Sequence, residues 1–276
     1  SKIVDKKYLD FYIPDRNVEG YGISDEGIDF ARDNGFSLII ALDCGIKSVD
    51  KIDYANSVGV DFIICDHHLP GEKLPNAVAV LDPKRKDCRY PYKELSGCGV
   101  GFKLCQGLNT IYKIPESELF ELTDLLAISI ASDIVAMTGE NRVLAMQGLK
   151  FLRKTRKFGL RLLIPEEKLA HFEISNIVFD IAPKINAAGR ISHAKASVEL
   201  MISDNLKQAQ QMVENIINLN DERREMDINI TQSAMSQALE LQKTERYSTI
   251  VYDPSWNKGV IGIVASRLIE NYFKPT

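Results

Sequence analysis

The stretch Phe62-Ile63-Ile64-Cys65-Asp66-His67-His68 decides the fold. Four consecutive apolar residues read as a strand covered on both faces, and a carboxylate and two imidazoles follow directly at its C-terminal end. Upstream, Ser37-Leu38-Ile39-Ile40-Ala41-Leu42-Asp43 repeats the pattern: a continuous apolar run, expected as a central strand covered on both faces, closed by an acid. Residues 48–57 between them read as a helix, so strand–helix–strand with a right-handed crossover is predicted. Before these, Ser24 caps a helix of about ten residues, with Asp25 and Glu26 in its first turn and Gly35 at its end. Residues 9–13 read as a short extended run, followed by the turn-rich segment 14–22. Residues 77–81 give a further strand, closed by Asp82-Pro83. The predicted class is α/β, a doubly wound parallel sheet.

The rest is mainly helical. Residues 97–111, 118–131 and 140–153 carry apolar side chains at three- and four-residue spacing. Residues 205–243 form a long polar-faced stretch that is either broken or bridges two domains. Residues 247–252 read as a new strand, and residues 260–272 as a helix after the loop Asn257-Lys258-Gly259. One strand and one helix cannot bury their own faces, so these residues are expected to begin a second α/β domain, in a chain whose ends read as cut.

Composition narrows the classes. At 276 residues and 31.0 kDa, with 45% hydrophobic and 26% charged residues, the chain holds enough apolar material for a large core, which excludes disorder as its main state. No apolar run nears the roughly 18 residues of a membrane span, and the first residues contain no signal-peptide core, so a cytoplasmic protein with no membrane partner is expected. Five cysteines without a CxxC motif fit neither a disulfide framework nor a zinc site. A net charge of −4 excludes nucleic-acid binding by bulk positive charge but leaves a local patch open.

In open α/β sheets the C-terminal strand ends form the ligand crevice, which puts Asp43, Asp66, His67 and His68 on one rim. Asp133, after the apolar run Leu125–Ser132, is the third candidate. Mixed Asp and His ligands suit Mn²⁺ and related ions. Asp43 alone reads equally well as a cap of the next helix. Paired histidines after an Asp at a strand end point to metal. His171 and His193 take no metal role, and Cys44 and Cys65 read as small buried hydrophobes.

These residues resemble the DHH phosphoesterase superfamily, and within it the RecJ-type family of single-strand-specific 5′-to-3′ DNA exonucleases. The resemblance rests on Leu42-Asp43-Cys44-Gly45-Ile46, Asp66-His67-His68-Leu69-Pro70-Gly71 and Ser132-Asp133-Ile134-Val135. Segments 14–22, 81–84, 97–101, 183–190 and 258–267 follow the same family order. It implies a two-metal nuclease using Mn²⁺ or Mg²⁺, with Asp43 bridging the ions and His67 and Asp133 completing one ion's shell. His68 would face the scissile phosphate, and Asp66 would either add a ligand or orient its neighbours. Arg16, Arg190 and Asn186 are expected at substrate phosphates, the arginines in flexible loops; a surface salt bridge is the competing reading of each arginine. Lys184, Tyr12 and Tyr21 are weaker candidates for the strand channel.

The resemblance further implies single-stranded DNA as partner, with a helicase and a single-strand-binding protein as companions, in DNA repair and recombination. It places a DHH domain at 1–202, a connecting helix at 203–245 and the start of a DHH-associated domain at 246–276. The family's first motif, Asp-x-Asp, is absent from residues 1–8, and Asp5 and Asp10 are not placed to replace it. At most one metal and little activity are therefore expected of this stretch by itself. Two alternatives remain at this stage: a nanoRNase or cyclic-dinucleotide phosphodiesterase acting on short oligonucleotides, and an inactive scaffold. The long 193–245 segment argues against the first, and the intact acids and histidines against the second.

Overall fold

The computed structural model describes residues 3–16, 18–242 and 247–276. It divides into two units, Ser1–Ala182 and Pro183–Thr276. The first unit runs α1 (Asp25–Asp33), β1 (Leu38–Leu42), α2 (Val49–Ser57), β2 (Asp61–Cys65), β3 (Ala79–Leu81), α3 (Gly97–Tyr112), α4 (Glu116–Phe120), α5 (Thr123–Ser132), α6 (Gly139–Leu152), α7 (Phe158–Leu163) and the single turn α8 (Ile174–Asn176). Its three strands are parallel in the order β1-β2-β3, in a register that sets Leu42 beside Cys65 and Cys65 beside Leu81. The α/β expectation therefore holds, with helices on both faces. Ile28, Ala31, Ile52 and Ala55 of α1 and α2 bury one side against Ala41, Phe62 and Ile64. Val100, Phe102, Leu126 and Ile130 pack with Cys65, Ile63 and Leu81 on the other. Ser24 caps α1 as predicted, its Oγ accepting the Gly27 N–H at 3.1 Å.

Several local expectations fail. β1 is an edge strand, and Leu38, Ile40 and Leu42 on one of its faces stay 44–56% exposed instead of covered. Residues 9–13 form no strand, because no neighbouring strand pairs with them; a 3₁₀ turn, Lys6–Tyr8, precedes them. The helix expected over 118–131 is two helices, broken at Glu121 and Leu122. α5 is apolar all round and correspondingly buried at Leu126, Ala127, Ile128 and Ile130.

In the second unit α9 (Ala182–Ile191) and α10 (Lys195–Ile202) precede α11 (Leu206–Gln242), which is unbroken over 37 residues, and α12 (Ile261–Tyr272). Lys243, the end of the predicted stretch, lies outside the described residues. The strand expected at 247–252 is not formed: Ile250 and Tyr252 are exposed, and no partner strand satisfies the backbone there. Val260, Val264 and Leu268 of the α12 region bury against Ile230, Ala234 and Ala238 of α11.

Helices α5 and α6 approach closely at Gly148, where an added Cβ would lie 2.1 Å from the Thr123 carbonyl oxygen and 2.6 Å from Ala127 Cβ. Ala gains about 1 kcal/mol over Gly in a helix interior. A clash with rigid backbone outweighs that gain. Gly148→Ala is therefore expected to lower the unfolding free energy by about 2 kcal/mol, read by urea denaturation; an unchanged or raised midpoint would contradict this packing.

Candidate metal centre

Asp43 lies one residue past β1, and its N–H still donates to the Cys65 carbonyl at 2.8 Å, extending the parallel ladder. It then turns through φ 65°, a left-handed conformation that Asp tolerates better than most residues, and Gly45 follows at φ 109°. The carboxylate reaches the start of α3: a Cβ on Gly97 would stand 2.2 Å from Asp43 Oδ1. Only glycine at position 97 leaves room for it.

At the end of β2, Asp66 is 1% exposed. Its Oδ2 accepts the Ile46 N–H at 2.9 Å. Its Oδ1 accepts the N–H groups of His67 (2.8 Å) and His68 (3.2 Å) and lies 2.7 Å from His68 Nδ1. Burial pushes this carboxyl's pKa up, but the hydrogen bonds from Ile46, His68 and His67 win and hold it below the usual carboxylate range. Asp66 thus orients both histidines and the β1 loop, and its oxygens are spent in doing so.

His67 is buried at 6% exposure. Its Nε2 faces Asp43 Oδ1 at 3.0 Å and Asp133 Oδ2 at 3.5 Å. The hydrogen bond to Asp43 raises the imidazole pKa, against the opposing effect of burial. Asp133 ends α5 in an extended conformation; its Oδ1 accepts the Ile134 N–H, which leaves Oδ2 toward His67. One potential ligand atom each from Asp43, His67 and His68 lies within 4.8 Å of the others. The predicted residues Asp43, Asp66, His67, His68 and Asp133 therefore converge at one rim of the sheet. Two carboxylates aimed at one imidazole nitrogen make a donor set that fits a hard divalent cation. Burial raises the thiols of Cys44 and Cys65 to about 11, so both stay protonated and apolar in character.

Other candidates lie elsewhere. Arg16 sits in a turn, its guanidinium 5.2 Å from the Tyr21 ring centre. The Tyr12 ring packs on Phe30 and its hydroxyl donates to Glu19 at 2.8 Å, which commits it to the fold. Asn186 and Arg190 belong to the second unit and lie in α9 rather than in a loop. Pro183 is tolerated in the first helical turn, and Ala187 and Ala188 favour helix. Two neighbours of the rim were not assigned roles from sequence. Gly97 carries no sequence signal of its proximity to Asp43. Asp82 could have been found, because Leu81-Asp82 is a third strand ending in a carboxylate; it is 3% exposed, and burial raises its pKa.

Residues 2–130 match the DHH family, N-terminal domain. Those residues are a DHH-family domain. It is 40% identical over 272 residues to the single-stranded-DNA-specific exonuclease RecJ of Bacillus subtilis, covering 97% of the chain and 33% of that relative. It is 33% identical over 285 residues to the Escherichia coli RecJ, covering 97% and 49%. The chain thus spans between a third and a half of the length of these curated relatives. A crystal structure of exonuclease RecJ bound to manganese superposes with a TM-score of 0.83 at 30% identity, covering 95% of the chain and 66% of that structure. RecJ from Thermus thermophilus in complex with Mn²⁺ gives 0.79 at 29%, covering 90% and 37%. No described helix is long and apolar enough to cross a membrane.

The His67–Asp43 contact has a pH signature in the metal-free protein. A folded pKa above the unfolded value of about 6.5 favours the protonated ring in the folded state. That stabilisation is complete below about pH 6.5 and is lost as pH rises through the folded value. The melting temperature of the wild type should exceed that of Asp43→Asn near neutral pH or just below, with the gap closing as pH rises. A gap that widens with pH would refute the pairing.

Proposed function

We propose that Asp43, His67 and Asp133 hold Mn²⁺ or Mg²⁺ and that this chain carries part of a nuclease site that hydrolyses single-stranded DNA from its 5′ end. The observation behind this reading is the convergence of two carboxylates on the buried His67 Nε2, at 3.0 and 3.5 Å, in a chain with a DHH-family domain. A divalent ion there supplies Lewis-acid polarisation of a phosphoryl oxygen and a water of lowered pKa. The chain's own residues do the rest. Gly97 admits the Asp43 carboxylate to the rim. Asp66 holds His68 through Nδ1, which leaves Nε2 of that half-exposed ring for a non-bridging oxygen of the scissile phosphate.

Arg16 and Arg190 bind substrate phosphates in this reading, with Asn186 beside the latter. Among the described residues neither arginine has a carboxylate within ion-pair distance, contrary to the salt-bridge alternative. Arg190 donates to the Gly259 carbonyl at 2.9 Å, a neutral partner that leaves its charge available. Residues 1–202 would be the DHH domain, 203–245 the connecting helix and 246–276 the start of the DHH-associated domain. A helicase and a single-strand-binding protein would supply and protect the strand, in cytoplasmic DNA repair and recombination.

The test replaces the matching stretch of the Bacillus subtilis relative with this chain and follows Mn²⁺-dependent digestion of a long single strand blocked at either end. Digestion from the 5′ end only is expected. Cleavage of dinucleotides without digestion of long strands would overturn the substrate assignment. In the same chimera, His67→Ala and Gly97→Ala should each cost at least about 100-fold in rate, the upper end of what losing an outer partner of a metal ligand costs. Gly97→Ala should also lower the melting temperature, since the added Cβ would stand 2.6 Å from Asp43 Cβ, which no side-chain rotation moves; Asp43→Ala beside it, which removes the carboxylate but leaves Gly97, separates loss of the ligand from loss of stability. Calorimetry on this chain alone should show at most one Mn²⁺, abolished by His67→Ala; two tight sites would refute the assignment of ligands.

A further inference from the structure

His67 leaves one demand unmet. Its Nε2 is directed at Asp43 and Asp133, while its Nδ1 is buried and has no hydrogen-bond partner. A ring whose Nε2 lone pair faces a cation carries its proton on Nδ1, and that proton needs an acceptor. Asp66 does not serve: its oxygens take the Ile46, His67 and His68 donors, and neither lies within hydrogen-bond distance of His67 Nδ1. A second buried atom in the same unit is also without a partner: Asp82 Oδ2. Its sister Oδ1 is occupied by the Lys84 N–H at 2.7 Å.

The two residues sit on neighbouring strand ends. β2 and β3 are paired at Cys65 and Leu81, and the Asp66 N–H donates to the Leu81 carbonyl at 3.0 Å, so the chain leaves both strands side by side into His67 and Asp82. The charge of His67 acts on Asp82, yet no direct hydrogen bond or ion pair joins them. Buried polar atoms in such pairs are normally satisfied through an ordered water.

We propose that one buried water bridges His67 Nδ1 and Asp82 Oδ2, making Asp82 the positioning residue that fixes the tautomer and ring orientation of His67 as a metal ligand. Water suits both states of the site. It accepts from Nδ1–H when Nε2 binds a cation, and donates to Nδ1 when Nε2–H donates to Asp43 in the metal-free protein. The inference rests on the reading of Asp43, His67 and Asp133 as metal ligands.

The experiment combines a high-resolution crystal structure of the metal-free chain with the Mn²⁺ dissociation constants of wild type, Asp82→Asn and Asp82→Leu, read from the free-ion electron paramagnetic resonance signal. A water within hydrogen-bond distance of both atoms is expected. Asp82→Asn keeps its oxygen on the Lys84 N–H and turns an amide N–H to the water, which can accept from it and from His67 Nδ1–H together, so it should bind Mn²⁺ within a few-fold of wild type. Asp82→Leu removes the polar atoms of the side chain and should weaken binding by about 10- to 100-fold. A dry site, a direct His67–Asp82 contact, or an Asn variant as weak as the Leu variant would overturn the water bridge. Unchanged binding in Asp82→Leu would overturn the positioning role. A wild-type chain that shows the water but binds no Mn²⁺ would overturn the metal reading, and with it the role of Asp82 toward a ligand.

Discussion

The rim of the sheet depends on one buried carboxylate. Asp66 is almost fully withdrawn from solvent, a position that is costly for a charge unless hydrogen bonds compensate it. Here four do: Ile46 N–H from the loop after β1, the N–H groups of His67 and His68, and the His68 ring all converge on it. The same four bonds that offset its burial tie the end of β1 to the end of β2 and fix where two imidazoles stand. Such a network has an all-or-none character, because removing one partner strands the charge without removing its desolvation cost.

Around that anchor, close approach is achieved by leaving atoms out. Gly97 makes room for the Asp43 carboxylate, and Gly148 lets α6 settle against Thr123 so that α5 presents Asp133 to the rim. Gly148 trades helix propensity for proximity, since glycine is among the poorer residues for a helix interior, whereas Gly97 opens α3. The edge strand β1 is the other concession. Its inner face joins the core through Ala41 and Ile39, while Leu38, Ile40 and Leu42 remain largely in solvent. An exposed apolar edge of this kind invites pairing with another strand.

The second unit has its own electrostatic organisation. Asp227, nearly fully buried on α11, accepts from Arg267 of α12 at 2.6 Å and lies 3.7 Å from Arg223 one turn earlier on its own helix. Burial lowers the pKa of Arg223, Asp227 opposes this, and the neighbouring Arg224, Arg190 and Arg267 add to the lowering. Two guanidiniums, those of Arg223 and Arg267, thus share one buried carboxylate, and Arg190 lies near enough to act on Arg223.

The sequence by itself determined the three parallel strands, the Ser24 cap and the acids and histidines at the rim. Apolar runs ending in Asp43 and Asp66-His67-His68 are local patterns, and a parallel sheet places all such endings on one side. Only the tertiary structure decided which partners those residues meet. Asp133 reaches His67 because α5 and α6 pack tightly, Gly97 touches Asp43 across more than fifty residues of chain, and Asp82 shares the burial of His67 through the pairing of β2 with β3. The failures have the same cause. Residues 9–13 and 247–252 have strand-like sequences, but a strand exists only when another backbone satisfies its hydrogen bonds, and β1 is covered on both faces only where helices pack on both. Arg190 read as a loop residue because Pro183 and Gly189 are loop formers locally, whereas packing of the surrounding alanines holds that segment as helix.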